Sequence, residues 1–263
     1  MDENSLKQAL SGLPLGPVRY FATTGSTNDE AARWAASGAP DLALVTADEQ
    51  TAGRGRLERR WYTPPGAALA FSVTLRIGQS VVPSFVPRLT ALGALSTCLA
   101  LRQGYGLPAL VKWPNDVLVE GKKLAGVLAE AAWQGERLQT AVLGIGINVA
   151  PASVPPEPDL NFPATCVETA LGRPVERLEL LRAVLGWLVD WRSRMNSSDF
   201  LRAWEGMLAF KGEWVEVAWE GRPRLEGQVL GLDLNGGLRL KERSGQVHSL
   251  QSGEVRLRPV DSR

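Results

Sequence analysis

An α+β protein, with helices backing a sheet and a small β-barrel after it, is what the sequence predicts. Three observations carry that expectation. Residues 68–76 and 142–149 alternate apolar with small or polar side chains, as strands with one face on a core do. Between them, Leu89, Leu92, Leu95 and Leu99 recur at helical spacing. From Lys211 the texture changes to short alternating runs separated by glycine.

Taken in order, residues 23–38 read as a loop and then a helix, capped by Ser26 or Thr27 and stopped by Gly38. Residues 42–47 form a short apolar strand. In 68–76, Leu69, Phe71, Val73 and Leu75 share one face. Residues 85–103 form the amphipathic helix that backs the sheet. The run from Trp113 to Trp133 reads as a hairpin, and TAVLGIGINV as a further strand. Five prolines in residues 151–163 argue against regular structure there. Helical patterns resume over 176–195 and 198–209. Five short strands follow, so the expected division is 1–210 and 211–263.

Composition narrows the function. Hydrophobic residues make up 44% and charged residues 22% of the 263, which suits a folded chain and not a disordered one. Lys and Arg number 29 against 28 Asp and Glu, so no net field draws the molecule to nucleic acid, and any phosphate recognition must be local. Cys98 and Cys166 stand far apart without metal-ligand spacing. A reducing, cytoplasmic setting fits them. The start has no apolar export core, and no run reaches membrane-spanning length.

Three segments can carry chemistry. GRGRLERR places Arg54, Arg56, Arg59 and Arg60 in a glycine-containing loop, where guanidinium forks can bind phosphate or carboxylate. A solvated basic turn would have the same composition. In KWPNDVLVEGKKLAG, a two-residue turn at Glu120-Gly121 sets Leu118 opposite Lys123 and Asp116 opposite Ala125. Asp116 and Lys123 then lie diagonally on one face, as an ATP-using site or as an ordinary ion pair. In VLGIGINV, Leu143, Ile145, Ile147 and Val149 face one way, and Val142, Gly144, Gly146 and Asn148 the other. The bare face suits either a flat ligand or close packing of another element. His248 has no nucleophile near it in sequence and receives no role. Trp61 and Trp113 adjoin the charged motifs and could pack on a ligand.

SerThrAsn at 26–28, GRGR at 53–56, RRW at 59–61, KWPND at 112–116, KLAG at 123–126 and GIGIN at 144–148 together resemble biotin protein ligases. The resemblance implies a mixed sheet packed with helices, related to class II aminoacyl-tRNA synthetases, followed by an SH3-like barrel. It implies a biotin site of Ser26, Thr27, Asn28, Gln50, Gly53, Arg54, Arg56, Lys123, Gly144 and Gly146. Ser26 and Thr27 would address the ureido ring. ATP would meet Arg56, Arg59, Trp61, Asn115, Lys123 and Asn148. Lys123, Arg56 and Asp116 are the catalytic candidates, with Asp116 also the candidate ligand of Mg2+.

The implied reaction activates biotin with ATP and Mg2+ as biotinyl-adenylate, then transfers biotin to a lysine of a carrier domain. No tightly bound prosthetic group is expected. The expected acceptor is the biotin carboxyl carrier domain of acetyl-CoA carboxylase or pyruvate carboxylase; the resemblance leaves a homodimer open, and no nucleic acid or membrane partner is expected. Two departures from the family pattern matter. Leu57 and Glu58 stand where the arginine loop often has glycine, and only about 25 residues precede the SerThrAsn motif, too few for the winged helix of bifunctional members. A ligase without repressor function is therefore expected. The competing readings are a lipoate ligase, which shares the chemistry, and a nucleic-acid-binding module built on the arginine loop and barrel.

Overall fold

A computed structural model of the chain describes all residues except 58, 81–84, 136, 157–161, 219–222, 252–255 and 260–263. The first sheet contains β1 (Val18–Thr24), β2 (Leu44–Gln50), β3 (Ala68–Ser80), β4 (Ala109–Lys112), β5 (Asp116–Val119), β6 (Lys122–Gln134) and β7 (Arg137–Asn148). Its order is β1-β2-β3-β7-β6-β5-β4. Only β1 and β2 run parallel, so the sheet is mixed. The helices are α1 (Glu3–Ala9), α2 (Thr27–Ala36), α3 (Val86–Tyr105), α4 (Val167–Leu171), α5 (Arg177–Arg192) and α6 (Ser198–Gly206). No described helix is long and apolar enough to cross a membrane.

The alternation of the central strands decides which face becomes core. Leu69, Phe71, Val73 and Leu75 of β3 and Leu143, Ile145 and Ile147 of β7 are buried with Leu89, Leu92, Leu95 and Leu99 of α3. A fully buried side chain of this size stabilises the fold by about 1.5–3 kcal/mol. Pro87 sits in the first turn of α3, where a missing N–H costs nothing, and Gly106 ends the helix in the left-handed region at φ 68°. The opposite face carries less. The ten-residue α2 covers only part of it, through a small cluster of Ala31, Val45 and Val142. On the glycine-bearing stretch of β7, Asn28 in the first turn of α2 covers Gly144, and Gly146 is left for a loop side chain to cover.

Several elements differ from the sequence expectation. The hairpin turns at Glu120 and Gly121, both with positive φ, but a bulge places Asp116 opposite Gly126 rather than Ala125. One extra residue reverses the side-chain parity, which is why Ala125 points into the core while Gly126 lies beside Lys123. α1, β1, β4 and α4 carried too little periodic signal to read; β1 is an edge strand with little burial, and β4 has four residues. Within the proline-rich segment, Pro151–Ser153 form a 3-10 turn, since proline fits a first helical turn. Residues 157–161 lie outside the described residues. α6 stops short of the expected 209 because Met207 and Ala209 leave it to hydrogen-bond Val111.

The five late strands occur where expected: β8 (Trp214–Ala218), β9 (Leu225–Leu232), β10 (Leu238–Lys241), β11 (Val247–Leu250) and β12 (Arg256–Pro259). They form an antiparallel sheet in the order β11-β10-β9-β8-β12. Val215, Val217, Val229, Leu232, Leu238 and Leu240 belong to the same buried cluster as the core of the first sheet. Polar clasps reinforce this contact. The Trp113 indole donates to the Gly236 carbonyl at 3.0 Å, and Arg88 donates to the Leu234 carbonyl at 2.7 Å. Gly236 has φ 83°, and a side chain there would meet the Trp204 ring at 2.4 Å.

Asp48 on β2 ties α5 to the sheet. Its carboxylate accepts from Arg177 at 2.7 Å, from the Tyr20 hydroxyl at 2.7 Å and from the first amino group at 2.9 Å. Burial alone would raise the Asp48 pKa, but these hydrogen bonds and the charge of Arg177 outweigh it and hold the group below its usual value. Burial and Asp48 together push Tyr20 up to about 12. A folded pKa below the unfolded one stabilises the fold above the unfolded value of about 3.9, and that contribution is lost as pH falls through the lower folded value. Asp48→Asn should therefore lower the urea midpoint at neutral pH. The gap from the parent should narrow below about pH 4; a gap independent of pH would count against this role.

Candidate active site

The face of the first sheet turned away from α3 is floored mostly by small residues. Ala70, Gly146 and Gly126 lie side by side across β3, β7 and β6, and Ser72, Gly144 and Leu128 form the next row. The alternation of β7 places both of its glycines on this face, as the sequence predicts. Two side chains lie directly on them. A Cβ on Gly146 would stand 2.3 Å from the Trp61 indole, and one on Gly144 would stand 2.0 Å from Asn28 Oδ1. Neither substitution fits without displacing its cover. The Trp61 indole N–H is buried against this floor and has no hydrogen-bond partner among the described residues.

One end of the floor is lined by neutral hydroxyl and amide groups, with the Arg54–Glu130 ion pair at its rim beside Asn28. Ser26 is the N-cap residue of α2, but its side chain makes no capping hydrogen bond. Thr27 donates from its backbone N–H and its hydroxyl to Gln50 Oε1, at 2.8 and 3.1 Å. Gln50 Nε2 donates to Thr63 at 3.0 Å. The Ser72 hydroxyl lies 2.8 Å from Thr27 Oγ1 and 2.6 Å from Asn28 Oδ1. Ser26, Thr27 and Asn28 are nearly fully buried. Ser26, Thr27, Asn28 and Gln50, named from the sequence, are thus brought together. Ser72 and Thr63 were not named, although Ser72 could have been found as a polar residue on the face of β3 opposite its leucines.

The other end is cationic. Lys123 Nζ lies 2.7 Å from Asp116 Oδ1 and 5.5 Å from the centre of the Trp61 ring. Lys112, which the sequence reading left without a role, approaches the other Asp116 oxygen at 3.8 Å and packs on Phe162. Arg56 donates to Asn115 Oδ1 at 3.1 Å, while Asn115 Nδ2 donates to Asp116 and to the Val127 carbonyl. Burial lowers the Arg56 pKa, opposed by Asp116 and aided by Arg59. Its guanidinium stays charged at neutral pH. Asn148 lies buried in the same face, with Nδ2 donating to the Thr165 carbonyl at 3.1 Å.

The arginine loop joins these ends. Its neck is closed where the Trp61 backbone N–H donates to the Gly53 carbonyl at 2.8 Å; a side chain on Gly53 would come within 2.5 Å of the Trp61 carbonyl. Leu57 adopts φ 57°, a left-handed conformation that glycine takes at less cost, in the stretch where a glycine was expected. Glu58 lies outside the described residues. Arg54 turns aside to Asp29 and Glu130, at 2.6 and 2.8 Å. Arg59 is exposed. Mutual repulsion of the arginines is thus partly offset by carboxylates that the sequence reading did not pair with them. His248 lies in the C-terminal sheet, bonded to Glu242 at 2.6 Å.

Clefts of about 340 Å³ beside Tyr105 and Glu179, and about 250 Å³ beside Ser5 and Arg177, lie on other parts of the molecule. Neither gathers the reactive groups described here. Trp61 and Asn28 fill the space over the glycines, so the site is recognised by its chemistry and not by an open volume.

The sequence pattern of the biotin/lipoate A/B protein ligase family matches residues 20–148, which contain the floor and both of its ends. A Bacillus subtilis protein named bifunctional ligase/repressor BirA is 35% identical over 249 residues, covering 90% of this chain and 73% of that protein. A Mycobacterium tuberculosis biotin--[acetyl-CoA-carboxylase] ligase is 35% identical over 264 residues, covering 97% of this chain and 95% of that enzyme. Among solved structures, a biotin protein ligase from Aquifex aeolicus in complex with biotin and ATP superposes with a TM-score of 0.78 at 28% identity, over 93% of this chain and 99% of that one. The chain belongs to the biotin protein ligases of the biotin/lipoate A/B protein ligase family.

Proposed function

We propose that the chain activates biotin with ATP as biotinyl-adenylate and transfers the biotinyl group to a lysine of a carrier domain, as its family membership implies. The observation that carries this reading is the flat glycine floor running from a neutral hydrogen-bonding end to a cationic corner. Biotin has matching parts: a flat, neutral ureido ring and a carboxylate at the end of an apolar chain. Ser26 and Thr27 would take the ring, and Gln50, Asn28 and Ser72 would hold that end in shape. Gly144 and Gly146 leave room for the ligand beneath its cover.

At the cationic corner, Arg56 and Lys123 would bring the biotin carboxylate and the α-phosphate of ATP together. One carboxylate oxygen forms a bond to the α-phosphorus while the bond to the β-phosphate oxygen breaks, and pyrophosphate leaves. The acceptor amine then attacks the acyl carbon, and AMP leaves. Both steps need anionic charge held in place more than a protein nucleophile. Trp61, Asn115, Asn148 and Arg59 are assigned to the nucleotide, and Arg54 joins Arg56 on the carboxylate and phosphate once it leaves Glu130. The unpartnered Trp61 indole N–H supports a ligand acceptor beside it.

The donor set suits a magnesium ion that arrives with ATP. No group of three His, Cys, Asp or Glu suited to a metal occurs among the described residues, and Asp116 is the carboxylate at the corner. Mg2+ is commonly held by one or two carboxylates together with substrate phosphates. Asp116 would hold it, and the ion would supply neutralisation of phosphate charge. We assign residues 1–210 to catalysis and 211–263 to an SH3-like barrel that assists ATP use or carrier docking. The acceptor is assigned as the carrier domain of acetyl-CoA carboxylase, with that of pyruvate carboxylase as a second acceptor.

Biotin-dependent release of pyrophosphate from ATP tests the first step. Lys123→Ala should reduce it by about a hundredfold or more, the order seen when a charge stabilising a transition state is removed, while leaving the circular dichroism spectrum unchanged. Near-parent rates would remove Lys123 from this role. Gly146→Ala drives a methyl group into the Trp61 ring and should reduce the same rate about tenfold. Adding this change to Trp61→Ala should cost little more than Trp61→Ala alone, because the clash has gone; a full additional tenfold loss would argue against Trp61 as the cover.

A further inference from the structure

Glu130 belongs to none of the motifs, yet it joins the wall of the site to the arginine loop. It stands on β6 opposite Val142, on the same face as Gly126 and Leu128. Its Oε2 accepts from Asn28 Nδ2 at 2.7 Å and from Arg54 Nη2 at 2.8 Å. The same guanidinium nitrogen donates to Asp29 Oδ1 at 2.6 Å. Asn28 in turn receives the Ser72 hydroxyl on Oδ1, and that oxygen covers Gly144.

Resting on the reading of this floor as the biotin site, we propose that Glu130 is a positioning residue that sets affinity for biotin in two opposed ways. Its charge takes the place of a substrate anion on Arg54, so a carboxylate entering the site must displace it. Its oxygen fixes the Asn28 amide against Gly144 and so shapes the neutral end. The side chains of Arg54 and Glu130 are 43% and 34% exposed, which makes the pair weak and readily exchanged. Asp29 retains a hold on Arg54 when Glu130 is neutralised, which also keeps the charge effect modest.

The two roles separate on substitution. Glu130→Gln keeps an acceptor for Asn28 and removes the charge, whereas Glu130→Ala removes both. Calorimetric titration of the full chain with biotin, and with neutral biotin amide, reads each role without requiring turnover. Glu130→Gln should bind biotin about two- to fivefold more tightly than the parent. That gain should be absent for biotin amide and should shrink in about 1 M salt, where exposed charges are screened. Glu130→Ala should bind biotin more weakly than Glu130→Gln, and biotin amide more weakly than the parent. No gain in Glu130→Gln, an equal gain for the amide, or identical behaviour of the two variants would overturn the proposal while the biotin site stood. A parent chain that bound no biotin would overturn the site reading and this proposal with it.

Discussion

Gly126, Gly144 and Gly146 share one face of two adjacent central strands, and the arrangement around them depends on their missing side chains. A sheet normally covers such a face with its own residues or with a helix. Here the residues are too small to do so, and α2 reaches the glycines only through Asn28 in its first turn. The cover comes from Trp61 and Asn28, which approach the backbone more closely than any larger strand residue would permit. The opposite face of the same strands is filled by Leu143, Ile145 and Ile147 against α3. A well-packed core therefore supports the floor from behind.

That support fixes the groups at either end. The bulge in the β5–β6 hairpin turns Gly126 to the side of Lys123, so the ammonium paired with Asp116 stands at the edge of the floor. Asn115 links Asp116 to Arg56. Asp116 thereby offsets the nearby cations, which limits the repulsion between them. Trp113, beside this corner in sequence, is anchored to Gly236 of the second sheet. Truncation at residue 210 would remove that anchor along with part of the shared core, so its effects on binding must be separated from its effects on folding.

The parts of this arrangement legible in the sequence are those set by short-range periodicity. Alternation alone gives the two faces of β7, and turn chemistry alone brings Asp116 near Lys123. Neither reveals the bulge, because nothing local requires the extra residue. The cover of Gly146 by Trp61 joins segments about 85 residues apart in sequence, and that distance is invisible to a period of two. Glu130 escaped notice for a related reason: it carries no motif, and its importance comes from Asn28 and Arg54 converging on one oxygen. The edge strand β1 lacks the signal because both of its faces are only partly buried, Val18 and Tyr20 on one and Phe21 on the other, which erases the alternation. Leu57 shows the opposite case, a backbone conformation that its residue type does not announce.

The central claim is that this floor and its cationic corner join biotin to a carrier lysine through an adenylate. The most direct measurement is the intact mass of a biotin carboxyl carrier domain after incubation with the chain, ATP, magnesium and biotin. One added biotinyl group is the predicted result, dependent on ATP and absent when lipoate replaces biotin. An unchanged carrier mass with biotin, or an equal yield of lipoylated carrier, would contradict the account.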